Sequence, residues 1–173
     1  MSFSVRTIIR ALLVPDHRIS CSRKMWDQIL VQLELRTEGR HESGAFLLGR
    51  IMNDRREVLQ ALYYEELDPE AYRTGVCVLR GDAFALLWQI CRESGLTVVG
   101  DVHTHPGAAF QSYQDRTNPM VARFGHIAII VPLYARQPID QREFGIYEYR
   151  GEYVWNDRGG ESGNNFFYRA FWS

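Results

Sequence analysis

Cysteine is scarce in this 173-residue chain: Cys21, Cys77 and Cys91 are its only three. An odd, widely spaced set with no C-x-x-C pair excludes a disulfide framework and a zinc knuckle, and it fits the reduced thiols of a cytoplasmic protein. Net charge is nearly absent too, at -1. Without a basic excess, nucleic acid and anionic membrane are poor partners. No uninterrupted apolar run reaches the length of a bilayer span. The stretch "MSFSVRTIIRALLVPDHR" carries arginines inside its apolar segment. It reads as one or two short strands between Phe3 and Val14 rather than as a signal peptide. No repeat and no linker interrupts the chain. A single domain over residues 1–173 is therefore expected, with 46% hydrophobic residues to build its core.

What is present is an alternation of strands and helices. Ser20 or Ser22 can cap a helix over 23–37, where Met25, Trp26, Ile29, Leu30 and Leu33 recur at helical spacing and Gly39 stops the run. "SGAFLLGRIMN" and "RREVLQALYYEEL" read as two strands of a hairpin turning at Asn53-Asp54. Asp82 is placed to cap a second helix, "AFALLWQICRES", which Gly95 ends. "LTVVGDVH" and "GHIAIIVPLY" read as buried strands. Two late strands, "REFGIYEYR" and "EYVWND", should turn at Arg150-Gly151, and "FFYRAFWS" should dock on the core. This order predicts an α+β fold with a mixed central sheet flanked by helices.

Chemistry concentrates in "GDVHTHPGAAFQSYQD". Residues two apart on a strand share a face, so His103 and His105 leave the strand side by side, and Pro106 ends the ladder. The loop that follows is long enough to return Asp115 as an oxygen donor. Two histidines and one carboxylate leave a coordination position free, the pattern of a catalytic rather than a structural zinc site. Water in that position becomes a nucleophile near neutral pH. A non-haem iron triad uses the same donors. An isolated H-x-H pair at a sheet edge needs no metal at all. A cupin would want an acid soon after His105, and none occurs before Asp115.

"HTHP" followed by "SYQD", with Glu42 in "HESGAFLLG" upstream, resembles the H-x-H-P…S-x-x-D signature of the JAMM (JAB/MPN) zinc metalloprotease family. The likeness covers about residues 23–150 and is nearest to the prokaryotic JAB-type, deubiquitinase-like peptidases. It implies a JAB/MPN-like domain with one zinc ion held by His103, His105 and Asp115. Glu42 would be the general base and Ser112 the oxyanion donor. The implied reaction is hydrolysis of an isopeptide or peptide bond at the C-terminus of a ubiquitin-like protein. E1- and E2-like enzymes of the same operon, including antiphage operons, would be further partners. Trimming of a sulfur-carrier protein is the alternative within the family. A non-catalytic MPN-like scaffold is the alternative outside enzymology. An extended substrate tail would add beside a strand, with Glu65 to Arg80 as the groove wall.

Three positions depart from the family pattern. The interval from Pro106 to Ser112 is one residue shorter than in eukaryotic members, which reshapes a loop. Asp101 stands where many members have an aromatic residue; it either orients a histidine or bonds locally. Gly44 comes one place early, with Ala45 in the glycine position. None of these removes a ligand. Of the remaining residues, His126 reads as a satisfied core histidine, and His17 and His41 as loop residues. Glu38, Glu65 and Glu66 read as solvated. Trp26, Trp88, Trp155 and Trp172 read as core.

Overall fold

The computed structural model of the chain describes residues 16–74, 77–160 and 163–170. The strands expected between Phe3 and Val14, and Trp172, lie outside them. Strand β1 (Ile19–Ser22) runs directly into helix α1 (Arg23–Thr37). The junction is Ser22, whose hydroxyl accepts from the Met25 amide at 3.2 Å. Such a cap satisfies one of the orphan donors of a helix start. Trp26, Ile29, Leu30 and Leu33 are buried along one stripe. Glu38 and Gly39, both at positive φ, end the helix.

Strands β2 (Gly44–Met52) and β3 (Arg55–Tyr63) form the expected hairpin. Asn53 and Asp54 sit at φ 48° and 66°, as a tight two-residue turn between twisted strands requires. Strand β3 stops four residues before the expected Leu67. The Glu66 carboxylate accepts from the Tyr63 amide at 2.9 Å and turns the chain into the short helix α2 (Tyr64–Leu67). Helix α3 (Gly81–Ser94) is capped by Arg80 rather than Asp82, and Gly95 ends it as expected. Asp82 lies inside the first turn and accepts from the Ala83 amide. Strand β4 (Thr97–Thr104), helix α4 (Tyr113–Thr117) and strand β5 (Ile127–Val131) follow. Strands β6 (Gly145–Gly151) and β7 (Val154–Asp157) turn at Glu152 and Tyr153, later than Arg150-Gly151; positive φ runs from Gly151 through both of them. Helix α5 (Gly163–Phe166) and strand β8 (Phe167–Ala170) close the described chain.

The eight strands form one mixed sheet in the order β7-β6-β5-β4-β2-β3-β1-β8. The fold is α+β, with a mixed sheet between helices. Alternate residues of β2 serve opposite faces: Ala45 and Leu47 pack with Trp26, Leu33 and Val102 under α1. Phe46 and Leu48 pack with Tyr64, Leu87 and Val98 under α3. Strand β5 serves both faces, and all five of its residues are buried, which explains its unbroken apolar run. Not every tryptophan is core: Trp26 is fully buried, whereas Trp88 is 39% exposed on α3. Among the described residues, no helix is long and apolar enough to cross a membrane.

Gly44 matters to this packing. A Cβ there would lie 2.3 Å from Cε2 of Tyr64, a fully buried ring. Gly44→Ala is therefore expected to destabilise the fold by about 1–3 kcal/mol, the usual penalty of overpacking. The urea midpoint reads it; an unchanged midpoint would mean that the ring is free to yield.

Candidate metal centre

The pairing of β2 with β4 builds the site. The two strands are antiparallel, with Gly44 opposite His103. The entry to β2 therefore lies beside the exit from β4, and Glu42 meets the two histidines although about 60 residues of chain intervene. On the other side β5 runs parallel to β4 and pairs Ile130 with His103. The last strand residue and the one after it are both tied down. The His105 amide donates to Val131 O at 2.9 Å, and the Thr104 amide donates to Ser43 O at 2.9 Å. Both histidines are buried, at 6% and 8% exposure.

Asp115 arrives by a different device. Ser112 caps helix α4: its hydroxyl oxygen accepts from the Asp115 amide at 3.2 Å, while the Ser112 amide donates to Asp115 Oδ2 at 2.7 Å. This reciprocal capping box locks the aspartate rotamer. Asp115 Oδ1 lies 3.5 Å from His103 Nε2, and Oδ2 lies 3.3 Å from His105 Nε2. The two Nε2 atoms are 3.1 Å apart. A tetrahedral ion with bonds of about 2.0–2.1 Å sets its donors about 3.3 Å apart. The imidazole pair approaches that spacing, and one donor atom from each of the three residues lies within 4.8 Å of the others, the one such cluster among the described residues. Glu42 completes the group, with Oε1 3.8 Å from His105 Nε2.

The electrostatics of the site suit a cation. Burial opposes a charge on His103, but the carboxylates of Asp101 and Asp115 outweigh it and lift its pKa to about 10. Burial likewise opposes ionisation of Asp115, yet His103 and His105 hold it well below the ordinary carboxylate range. Burial raises the Glu42 carboxyl; the two imidazoles and the Cys77 backbone N–H pull the other way.

Asp101 has partners on both sides. Its Oδ1 lies 2.5 Å from His126 Nε2, and its Oδ2 takes the Tyr64 hydroxyl at 3.4 Å. The same Oδ2 faces His103 Nδ1 at 3.8 Å. It is anchored by His126, the satisfied core histidine that the sequence suggested, and lies behind His103 beyond hydrogen-bonding distance of Nδ1. Tyr64 was not legible as a partner; the small residue Gly44, which admits its ring, was the available signal. His41 sits outside the cluster, stacked on Tyr72 at 5.1 Å. Glu65 is not simply solvated: it pairs with Arg36 at 2.6 Å. The three cysteines are free.

The chain is similar to known proteins in sequence and in fold. Residues 22–143 match the family described as prokaryotic homologs of the JAB domain. The chain is 28% identical over 130 residues to "Probable metalloprotease y4jG" of Sinorhizobium fredii, covering 73% of this chain and 80% of that protein. Its fold resembles the solution structure of protein DSY2949 from Desulfitobacterium hafniense, with a TM-score of 0.61 at 16% identity over 88% of this chain and 94% of that one. A solution structure from Salinibacter ruber gives a TM-score of 0.56 at 20% identity, over 82% and 89%.

A metal ion at these donors must displace the proton that the carboxylates hold on His103. Below a pKa of about 10, divalent-metal affinity is expected to rise about tenfold per pH unit, with about one proton released. Calorimetry in buffers of different ionisation enthalpy reads the proton. A pH-independent affinity between pH 6.5 and 8.5 would contradict this charge assignment.

Proposed function

The chain belongs to the family of prokaryotic JAB-domain homologues, and from that premise we propose that it is a zinc-dependent metallopeptidase. The observation that carries the proposal is the placement of Glu42. A metal site needs only donors; a hydrolase also needs a carboxylate beside them that is not itself a ligand. Zinc suits the donor set of two imidazoles and one carboxylate with a position left open. When bound, the metal would lower the pKa of water and polarise the scissile carbonyl.

The protein supplies the remaining roles. Glu42 takes the proton of the attacking water on its carboxylate and returns it to the leaving nitrogen. Burial raises its pKa, which makes it a stronger base than a solvated glutamate. Ser112 uses its oxygen to accept from the Asp115 amide, so its hydroxyl hydrogen stays free to donate to the oxyanion. Asp101 places a carboxylate behind the His103 ring, 3.8 Å from Nδ1.

We extend the reading to a substrate: an isopeptide or peptide bond at the C-terminal tail of a ubiquitin-like protein, met in the cytoplasm. The resemblance in the metal-site motifs supports it. So does the segment after α2, which reaches the site: the Tyr72 hydroxyl contacts Gly44 at 3.3 Å, and the Cys77 amide bonds Glu42. An extended tail laid along that wall would present its last carbonyl to Glu42.

Purified protein should hold about one zinc per chain. His103→Ala should lose it. Glu42→Gln should keep it while cleavage of a ubiquitin-like conjugate falls by about 10²–10⁴-fold, the range for a general base. A folded wild type that binds no zinc would leave only the scaffold reading. A Glu42→Gln enzyme with full activity would remove Glu42 from the mechanism.

A further inference from the structure

At the end of β4 away from the metal site lies a cavity of about 320 Å³. It is bounded by the start of β4, the turn between β2 and β3, the outer side of α3 and the loop leading to β5. Four residues of strand separate Val99 on its wall from His103, about 13 Å. None of the metal donors, Glu42 or Ser112 lines it; the one link is His126, on the cavity wall, whose ring bonds Asp101.

Its charge is one-sided. Arg18, Arg56 and Arg123 line it, against a single carboxylate, Asp54. Arg18 is drawn to Asp54 at 3.6 Å and to Glu148 at 3.9 Å. Glu148 is shared with Arg150 at 3.2 Å and Arg158 at 2.9 Å, so it has no capacity to spare. Arg56 is 9% exposed, and its bonds go to the carbonyls of Gly125 at 2.7 Å and Asp54 at 3.5 Å. Among the described residues neither Arg56 nor Arg123 forms an ion pair. Burying a guanidinium is costly: burial, then Arg18 and Arg123, depress the Arg56 pKa, while Glu148 and Asp54, both already paired with other arginines, act the other way. With three arginines against one carboxylate on the lining, an added anion would offset the excess charge.

The remaining wall is apolar and aromatic. Trp88, 39% exposed, and Phe124, 62% exposed, both face the cavity. The guanidinium of Arg150 sits over the Phe124 ring at 4.4 Å. A planar apolar body beside an arginine cluster is a pairing suited to an aromatic group bearing an oxyanion. The volume falls at the small end of small-molecule sites.

We propose that this cavity is a binding site for a nucleoside monophosphate or a close chemical equivalent, its phosphate on Arg56 and Arg123 and its base against Trp88. The proposal is independent of the peptidase reading.

The test is calorimetric titration of the full chain with AMP, adenosine and inorganic phosphate. AMP is expected to bind at least about tenfold more tightly than either fragment, since each lacks one half of the recognition. Arg123→Glu should weaken AMP by about tenfold or more, the worth of one charge-assisted bond, without moving the melting point of the unliganded protein. Trp88→Ala should weaken AMP and leave phosphate unchanged. The proposal is overturned if AMP fails to bind at millimolar concentration, or if Arg123→Glu leaves its affinity unchanged. It is equally overturned if binding vanishes when the protein is stripped of metal, because the phosphate would then sit at the metal centre.

Discussion

Everything at the candidate metal centre depends on the register of β2 against β4. Gly44 opposite His103 means that the two residues before the strand fall beside the metal donors. A slip of one residue would carry Glu42 away and turn every side chain of β2 to the other face. The register is held by packing on both faces: Leu47 and Ala45 enter the layer under α1, Phe46 and Leu48 the layer under α3. Two local irregularities add to the constraint. A bulge at Leu47/Leu48 against β4 and another at Leu48/Gly49 against β3 fix where the strand twists. At Gly49 a Cβ would meet the Glu57 carbonyl at 1.7 Å, so no larger residue can occupy the bulge with this backbone.

Behind the donors the protein commits buried charge. Asp101 is 2% exposed, and a carboxylate there is tolerated only because it is fully partnered. His126 and Tyr64 supply those partners. Each in turn comes from a different element: His126 from the entry to β5, Tyr64 from the start of α2. Burial pushes the Tyr64 hydroxyl well above its ordinary pKa, and the neighbouring Asp101 pushes the same way, so it stays a neutral donor. His103 thus rests against a carboxylate braced from two sides. That is a stiff backing for a ring that must present one nitrogen at a defined angle.

Much of this was legible in the residues. Period-two alternation placed His103 and His105 together, and helical spacing placed α1 at about 23–37 with Ser20 or Ser22 as its cap, of which the fold uses Ser22. Asn53-Asp54 identified the hairpin because few other pairs accept positive φ in succession. Other features depended on distant partners. Asp82 looked like a cap by type, but the Asp68 carboxylate holds Arg80 through its amide at 3.4 Å and its side chain at 3.0 Å, and so shifts the helix start. The turn after β6 was misplaced because glycine at 151 outweighed Glu152 and Tyr153, which adopt left-handed conformations despite their side chains. The exposure of Trp88 was hidden as well, since helical periodicity says which residues share a face but not which face finds a partner. Asp101 could be narrowed to two roles by parity; only the fold brought up His126, which bonds Asp101 and leaves it 3.8 Å from His103 Nδ1.

The S-x-x-D motif shows how one local structure serves folding and chemistry together. Helix α4 has five residues, far below the length at which a helix is stable by itself. Its hold comes from the Ser112–Asp115 box and from Trp155, whose indole N–H donates to Arg116 O at 3.2 Å. The bonds that make the helix are therefore the bonds that aim Asp115 at the histidines. Disturbing Ser112 would loosen the helix start and free the carboxylate in one step. Conversely, any cation gathered by His103, His105 and Asp115 would tie the loop after β4 to the sheet. Metal affinity and the order of this loop are then two readings of one equilibrium. A signature that looks in sequence like a set of separate reactive groups is physically a single capped turn set against a strand end.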